Sequence, residues 1–353
     1  QTMEGFLGRG NYGIVRMNGG FGNRPMVGLA PGLTWGARFR RDLNVLRDVR
    51  DALTETYDAN GPALLWRAPW DGAKSPDLSL YDCDPYFIEI CRRIRVTDEG
   101  GALRCWNGPR VDAPSSLNGV TNDPWTPVDR SEMKALTLGG EGFSYRRLQQ
   151  IFFSDAYAKP AALEFREDET GQMYLVARAL VRGQGKTEGL HYRVVPVPAS
   201  VPVLFRDPDA RRQLAVRAEQ RVQLVADVQK RVLRPAVAAL LSGGRDAQVD
   251  WDEVQPWIDA FDDAVDRVFF EALWQSVDRR MDDDAAARQW QTILREEADR
   301  QFDDAQRSTP LAGIRRWRAI SAARSIYGRR IREVLPSAFA TPPSPIQPAT
   351  SHA

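Results

Sequence analysis

The side chains that most often carry out catalysis are scarce in this sequence. It contains two histidines, His191 and His352, and no GxSxG, HExxH or Walker sequence. Two histidines exclude a histidine-rich metal centre and disfavour a histidine-based catalytic triad. The sequence therefore favours a binding protein over an enzyme.

Acidic residues form two clusters in the C-terminal part of the chain. One lies on a predicted helix and consists of Asp259, Asp262, Asp263 and Asp266. The other is the run 282–284. A two-metal nuclease needs carboxylates that converge in a cleft. These carboxylates lie on the outer face of one helix and in a turn, so a solvated surface is the favoured interpretation. There are two alternatives: a metal-dependent nuclease that uses the acidic helix, and a scaffold that docks on RNA or on another protein.

A glycine-dense segment opens the sequence: residues 1–36 hold 10 of the 27 glycines, among them the run Gly8, Arg9, Gly10 and Asn11. Glycines let backbone N–H groups approach a phosphate closely, and arginines supply positive charge. The spacing matches a GxGxxG dinucleotide motif, but no clear strand precedes it and no acid stands in the ribose position. Phosphate contact and simple tight turns remain equally good interpretations.

A second glycine-rich segment lies between two β-type runs. It consists of Arg182, Gly183, Gln184, Gly185 and Lys186, and its composition predicts the tip of a β-hairpin. The simplest interpretation is an ordinary surface turn. The functional alternative is a wedge that inserts Gln184 into a nucleic-acid duplex while Arg182 and Lys186 hold phosphates.

Charge is unevenly distributed along the C-terminal half, although the whole chain carries only +1. Residues 250–284 have a net charge of −9 (twelve acids, three arginines), and residues 310–335 have +6 (seven arginines, one acid). Pairing between the acidic and the basic helices is one explanation. The other is a basic face for nucleic acid, since arginine binds phosphates in a bidentate manner. This face would include Arg315, Arg316, Arg324 and Arg329.

Hydrophobic periodicity divides the chain into three parts. Residues 1–205 mix short β-type runs with glycine and proline turns, which predicts an α+β body. Residues 206–335 have apolar positions every three or four residues, which predicts four amphipathic helices in an up-down four-helix bundle. The stripes predicted to be buried in the first three helices are Leu214, Ala218, Val222, Val225, Val228, Val232, Ala236 and Leu240; Val254, Ile258, Phe261, Val265, Val268 and Ala272; and Trp290, Leu294, Ala298 and Phe302. Residues 336–353 are rich in proline, serine and alanine and are predicted to be a disordered tail.

Local signals set the expected limits of these helices. Pro235 is expected to kink the first helix, and the third is expected to start after the acidic run 282–284. Thr309 is predicted to cap the fourth helix at its N-terminus. The buried stripe of that helix is predicted to begin with Ile314 and Trp317.

Composition also bears on the environment of the protein. The sequence has no apolar run of the length that a membrane span needs, and its mean hydropathy is −0.43. The three cysteines, Cys83, Cys91 and Cys105, lack CxxC spacing, so they predict neither a disulfide framework nor a zinc site. We expect a soluble cytoplasmic protein without a metal or a cofactor.

Three segments resemble the CasA family, the large subunit of the type I-E CRISPR Cascade surveillance complex. They are residues 10–25 (GNYGIVRMNGGFGNRP), 83–93 (CDPYFIEICRR) and 123–127 (DPWTP). The order of parts is also similar, with an α+β body followed by a helical bundle that ends in an arginine-rich helix. The resemblance covers about residues 1–335, and the family's N-terminal segment is expected to be missing before Gln1.

The resemblance implies a subunit that catalyses no reaction. In such complexes a guide RNA reads the target by base pairing, and a protein reads the short protospacer-adjacent motif (PAM) in duplex DNA. The large subunit is expected to read this motif, to help unwind the target and to recruit a nuclease-helicase. The implied partners are the guide-RNA complex with its backbone and small subunits, the double-stranded target DNA and that nuclease-helicase.

The resemblance also implies roles for individual residues. The family's glycine loop matches residues 8–11, with Gly10 at the closest approach to the minor groove. The glutamine wedge falls on Gln184, and Arg110 is nearest to the family's basic finger. Gly183 stands where some members have asparagine, which would relax the selectivity for the motif. Because the minor groove distinguishes bases weakly, tolerance of several motif variants is expected.

Overall fold

The computed structural model describes six stretches of the chain: residues 23–63, 80–86, 94–107, 123–182, 187–243 and 251–340. Their contacts define two compact units, one that ends at Arg206 and one that begins at Asp207. The first unit combines helices with short antiparallel strands, and the second is helical. The predicted α+β class with a helical C-terminal part is therefore confirmed.

The first unit contains eight strands and three helices in its described residues. The strands are β1 Met26–Ala30, β2 Ile94–Glu99, β3 Ala102–Asn107, β4 Val128–Asp129, β5 Lys134–Ala135, β6 Tyr157–Ala158, β7 Met173–Arg182 and β8 Thr187–Val197, and the helices are α1 Trp35–Ala52, α2 Tyr145–Phe153 and α3 Ser200–Leu204. The strands form three antiparallel sheets, with the orders β1-β7-β8, β2-β3 and β5-β4-β6.

The sheet β1-β7-β8 supplies much of the core of the first unit. Strand β7 pairs with β1 on one side and with β8 on the other. Alternate residues on one face are buried, among them Val27, Leu175, Ala177 and Val181. Side chains of a strand alternate between its two faces, so this apolar set fixes the register of the three strands.

Helix α1 is held to the rest of its unit by a buried arginine. The guanidinium of Arg41, 5 % exposed, contacts the carboxylate of Glu169 through Nε at 2.5 Å and Nη2 at 3.3 Å. It also donates to the backbone carbonyls of Ala162 at 2.8 Å and Glu164 at 2.7 Å. All three guanidinium nitrogens thus have acceptors, which offsets the cost of burying the charge.

We expect Arg41→Met to lower the free energy of unfolding by about 3–5 kcal/mol, because the carboxylate of Glu169 would lose its cation in a buried place. Urea unfolding of the full chain measures the change. Arg40→Met is the control, since Arg40 is exposed and donates to Gly36 of its own helix. It should change the stability by less than about 0.5 kcal/mol. Equal effects of the two substitutions would contradict the anchoring by Arg41.

Four long helical segments build the described part of the second unit. The first consists of α4 Pro208–Asp227, a π-helical segment Val228–Leu233 and α5 Arg234–Leu241, and the others are α6 Trp251–Asp278, α7 Asp283–Ser308 and α8 Gly313–Val334. The carboxylates of Asp207 and Asp282 accept backbone N–H bonds at the starts of α4 and α7. Such caps satisfy amide groups that have no partner within the helix.

The predicted apolar stripes form the core of the second unit. Phe269 meets the indole of Trp290 edge-on, with 5.6 Å between ring centres, and Phe302 stacks on Tyr327 at 4.2 Å. Helix α5 is buried around its whole circumference at residues 236–240, as is typical of a central helix. Predicted stripe residues that are buried include Leu214, Ala218, Val225, Val254, Ile258, Phe261, Val265, Leu294 and Ala298.

Pro235 does not interrupt the first helical segment. It lies in the first turn of α5, directly after the π-helical segment Val228–Leu233. Proline has no N–H for the carbonyl four residues earlier, and its ring crowds that carbonyl. The wider π-helical turns accommodate this defect, so the chain remains helical through Pro235, and the kink expected there stays a prediction.

The predicted N-cap of the last helix is wrong. Thr309 is 4 % exposed, and its hydroxyl donates to the carbonyl of Ala305 at 2.9 Å. It therefore closes the end of α7, because a buried hydroxyl takes one of the carbonyls that a helix end leaves without a partner. Helix α8 begins later, at Gly313, whose φ is +56°. Ile314 and Trp317, predicted to be buried, are 77 % and 72 % exposed.

The predicted disordered tail begins too early. Pro336–Ala338 form a 3-10 turn, and the backbone N–H of Ser337 donates to the side chain of Gln291 at 2.8 Å. The guanidinium of Arg332 lies 5.6 Å from the centre of the Phe339 ring. These contacts hold the start of the tail on the helices, despite its proline-rich composition. The rest of the tail lies outside the described residues.

Candidate nucleic-acid interface

Two long paired strands flank the predicted wedge in the sequence. Strands β7 and β8 pair antiparallel up to Arg182 and Thr187, with a register shift at Arg182 and a φ of +115° at Gly189. Both features mark a bulge near the ends of the strands. The strands of the predicted hairpin are confirmed. The residues that join them, Gln184 among them, lie outside the described residues, so the wedge stays a prediction.

Strand β1 follows the predicted glycine loop in the sequence, and it begins near the end of the sheet at which β7 ends. Met26, the first residue of β1, pairs with Arg178, only four residues before the last residue of β7. Four strand residues span about 13 Å. The pairing of β1 with β7 was not predicted from the sequence.

The remaining implied DNA contacts lie outside the described residues, apart from the backbone of Arg182: Gly8, Arg9, Gly10, Asn11, Arg110, Gly183, Gly185 and Lys186. The described chain begins within the glycine-dense segment, at Asn23, whose carbonyl accepts from the N–H of Leu138 at 2.8 Å. This bond ties the start of β1 to the body.

One face of the hairpin is exposed close to its end. Leu180 and Leu190 are cross-strand partners and are 45 % and 72 % exposed. In the next cross-strand pair on the same face, the guanidinium of Arg178 lies 5.1 Å from the ring centre of Tyr192. Burial, and then the charge of Arg178, lower the pKa of Arg38 on α1. The apolar groups of this face therefore lie near two cations, Arg178 and Arg38. In the sequence, only the alternation of residues along the two strands indicated that they have two different faces.

His191 is placed as a structural residue. Its ring lies against Gly142, where an added Cβ would come within 2.5 Å of Nδ1. Gly142 also has a φ of +68°, which favours glycine at that position. The close packing of backbone on imidazole agrees with the interpretation of this histidine as structural.

Helix α8 carries the predicted basic face, and its arginines fall into two groups. Arg324 donates through Nε to the Gln306 side chain at 2.7 Å, and Arg316 donates to the Gln306 carbonyl at 3.5 Å. These two arginines bind α7. In contrast, the guanidiniums of Arg315 and Arg318 have no hydrogen bond or ion pair with any described residue. Sequence reasoning included Arg316 and Arg324 but did not select Arg318.

Four exposed residues of this helix form what we call the α8 surface: Arg315, Trp317, Arg318 and Arg329. Arg329 makes a loose pair with Glu333 at 3.9 Å, exposed to solvent. Arg318 and Arg329 are eleven residues apart, which corresponds to about 16 Å along the helix. An exposed indole between arginines suits stacking with a base and contact with phosphates. In the sequence, the run RRWR at 315–318 indicated this surface. Helical periodicity, however, predicted that its tryptophan, Trp317, would be buried.

We expect Arg324→Met to lower the free energy of unfolding by about 1 kcal/mol, because Gln306 is 7 % exposed and would lose a hydrogen-bond partner. Arg315→Met should change it by less than about 0.5 kcal/mol. Urea unfolding of both variants separates the two groups of arginines. If Arg315→Met destabilises the chain as much as Arg324→Met does, the division into bound and available arginines is wrong.

The acidic clusters serve local structure where they are described. Asp262 accepts from Gln229 at 3.1 Å, and Asp283 pairs with Arg217 at 2.7 Å. Asp282 caps α7. Within the described ranges, no group of three His, Cys, Asp or Glu side chains is placed to hold a metal ion. Nor does any described helix have the length and apolar character that crossing a membrane requires.

No protein-family model and no curated protein matches the sequence. Solved structures are similar in fold. A crystal structure of CasA from Thermus thermophilus matches 88 % of this chain with a TM-score of 0.52 and 16 % identity. Cse1 from Thermobifida fusca matches 90 % with a TM-score of 0.57 and 15 % identity. Cse1 from Acidimicrobium ferrooxidans matches 88 % with a TM-score of 0.52 and 15 % identity.

The chain spans only part of these proteins. The match covers 65 % of the T. thermophilus chain and 64 % of the other two. A match over 88 % of the chain includes residues of both units, because neither unit makes up as much as 88 % of the 353 residues. The chain therefore has the fold of the CasA proteins, also called Cse1.

Proposed function

We propose that this chain is a CasA-type large subunit of a Cascade complex, an RNA-guided assembly that binds target DNA. The observation that supports the proposal is the shared fold over 88–90 % of the chain. The sequence segments 10–25, 83–93 and 123–127 support it independently. We propose further that the protein catalyses no reaction and acts in the cytoplasm.

The proposed task is to read a short motif that flanks the target in duplex DNA. Gln184 would enter the duplex from the end of the β7–β8 hairpin, and Gly10 would let the backbone approach the minor groove. The pairing of Met26 with Arg178 supports this division of labour, since β1 begins near the end of the sheet at which β7 ends. An insertion of this kind unstacks base pairs, which would help to unwind the target.

The proposed partners follow from that task. The guide RNA and its backbone and small subunits would supply sequence recognition, and the nuclease-helicase recruited afterwards would cut the DNA. Arg110 would contribute a phosphate contact as the basic finger. We assign the α8 surface to nucleic acid because Arg315 and Arg318 are available there and Trp317 offers a stacking face.

The test is to assemble the guide-RNA complex with and without this protein and to measure its affinity for target duplexes with permuted flanking motifs at fixed salt. With the protein present, affinity should depend on the flanking motif; without it, this dependence should disappear. Affinity that is the same with and without the protein, for every flanking motif, would overturn the proposal.

A further inference from the structure

A buried arginine in the second unit has no acceptor for its terminal nitrogens in the part of the chain that the structure describes. Arg221 lies on α4 and is 3 % exposed. Its guanidinium lies 5.1 Å from the ring centre of Trp290, whose indole N–H donates to the backbone carbonyl of Arg221 at 3.3 Å. Both Nη1 and Nη2 are buried and have no hydrogen-bond partner among the described residues.

Arg41 in the first unit shows what a buried arginine ordinarily requires. Its guanidinium contacts one carboxylate and two backbone carbonyls. A buried cation without such partners costs several kcal/mol. The face of the Trp290 ring offsets part of this cost for Arg221, but it supplies neither a hydrogen-bond acceptor for the N–H groups nor a full negative charge.

The nearest charged group, Arg217, adds a second positive charge beside Arg221. Burial, and then the positive charge of Arg217, lower the pKa of Arg221 to about 9, so the group is still a cation at neutral pH. Arg217 donates to Ser276 at 3.3 Å and pairs with Asp283 at 2.7 Å, but its Nε is buried and has no hydrogen-bond partner in the described ranges. Two guanidiniums and one carboxylate leave one positive charge uncompensated.

We propose that Arg221 and Arg217 bind a small inorganic anion, such as chloride, inside the second unit. The unpartnered N–H groups are the donors such an ion needs, and its single charge balances the cluster. A water molecule would accept hydrogen bonds but would leave the charge uncompensated. A nucleic-acid phosphate is too large to reach nitrogens that each expose less than 1 Å². The site is independent of the proposed function.

The test is thermal unfolding of the full chain in chloride and in gluconate, at constant ionic strength and pH. Gluconate is too large for a site covered by three helices. Since an ion that binds only the folded state stabilises it, the wild-type Tm should be about 2–4 °C higher in chloride. Bromide should act like chloride, and anomalous scattering from bromide-soaked crystals should place an ion at Arg221. An equal Tm in chloride and gluconate would overturn the proposal.

Two variants locate the effect. Arg221→Met keeps an apolar stem against Trp290 and removes the charge, so its Tm should be the same in chloride and gluconate. In gluconate this variant should be at least as stable as the wild type, because no uncompensated cation remains buried. Arg267→Met, at an exposed position on α6, is the matched control and should keep the full response to chloride. A response that persists in Arg221→Met would mean that the anion binds elsewhere.

Discussion

A guide-RNA complex that carries Gln184→Ala is expected to bind its target duplex about 10–100-fold more weakly and to lose its preference among flanking motifs. The reason is that one lost contact to a base pair costs about 1–3 kcal/mol. Gly10→Asp should have the same effect, since it adds a side chain and a negative charge where the backbone is proposed to approach the groove. Equilibrium binding at fixed salt, on duplexes with permuted flanks, measures both variants.

Matched substitutions elsewhere in the chain control for charge and for stability. Gly171→Asp introduces the same charge at a position where an added Cβ meets nothing within 4 Å. Gln213→Ala truncates an exposed glutamine on α4. Both controls should keep wild-type affinity and motif preference. If the controls and the test variants lose binding equally, or if none of the four loses it, the two loops do not read the motif.

The double variant Arg315→Glu, Arg318→Glu should weaken binding of the complex to DNA by about tenfold or more at low salt. It should also reduce the slope of log affinity against log salt by about two, because each lost phosphate contact retains one counterion. The weakening should be uniform across flanking motifs, since phosphate contacts carry no sequence information. Salt titrations of wild type and variant on one duplex provide the measurement.

Arg267→Glu provides the control for this variant, since it reverses an exposed arginine on α6 within the acidic region. Its salt slope should equal that of the wild type. A different result is that the double variant fails to join the complex, while any complex that does form keeps the wild-type salt slope. That result would indicate that the α8 surface docks on a protein subunit. In that case Ile314 and Trp317 would be exposed for a protein partner.

The sequence by itself determined the helices of the second unit, the strands of the β7–β8 hairpin, and which sides of most of these helices are buried. The apolar stripe from Val254 to Val265 is buried as predicted, and so is the stripe that contains Trp290 and Leu294. Periods of about 3.6 and 2 residues follow from local backbone geometry, so they can be read without knowing the partners of a segment. The hairpin strands on both sides of residues 183–186 were predictable for the same reason.

Only the tertiary structure decided how the ends of these elements are used. The Thr309-Pro310 signal is a good start for a helix, yet the hydroxyl caps the preceding helix because that buried end offers a free carbonyl. Trp317 fits the periodicity of its helix, but α8 starts beyond the core and leaves the ring exposed. Local sequence cannot show where a neighbouring helix stops.

For the candidate sites too, the sequence determined one part and the tertiary structure the other. Residue types alone identified glycine loops and an arginine-rich helix, because charge and backbone freedom are properties of single residues. Which arginines are available was decided by packing, since Gln306 on α7 engages Arg316 and Arg324 and leaves Arg315 and Arg318 without protein partners among the described residues. The buried charge of Arg221 was invisible in the sequence, because burial depends on contacts between helices that are far apart along the chain.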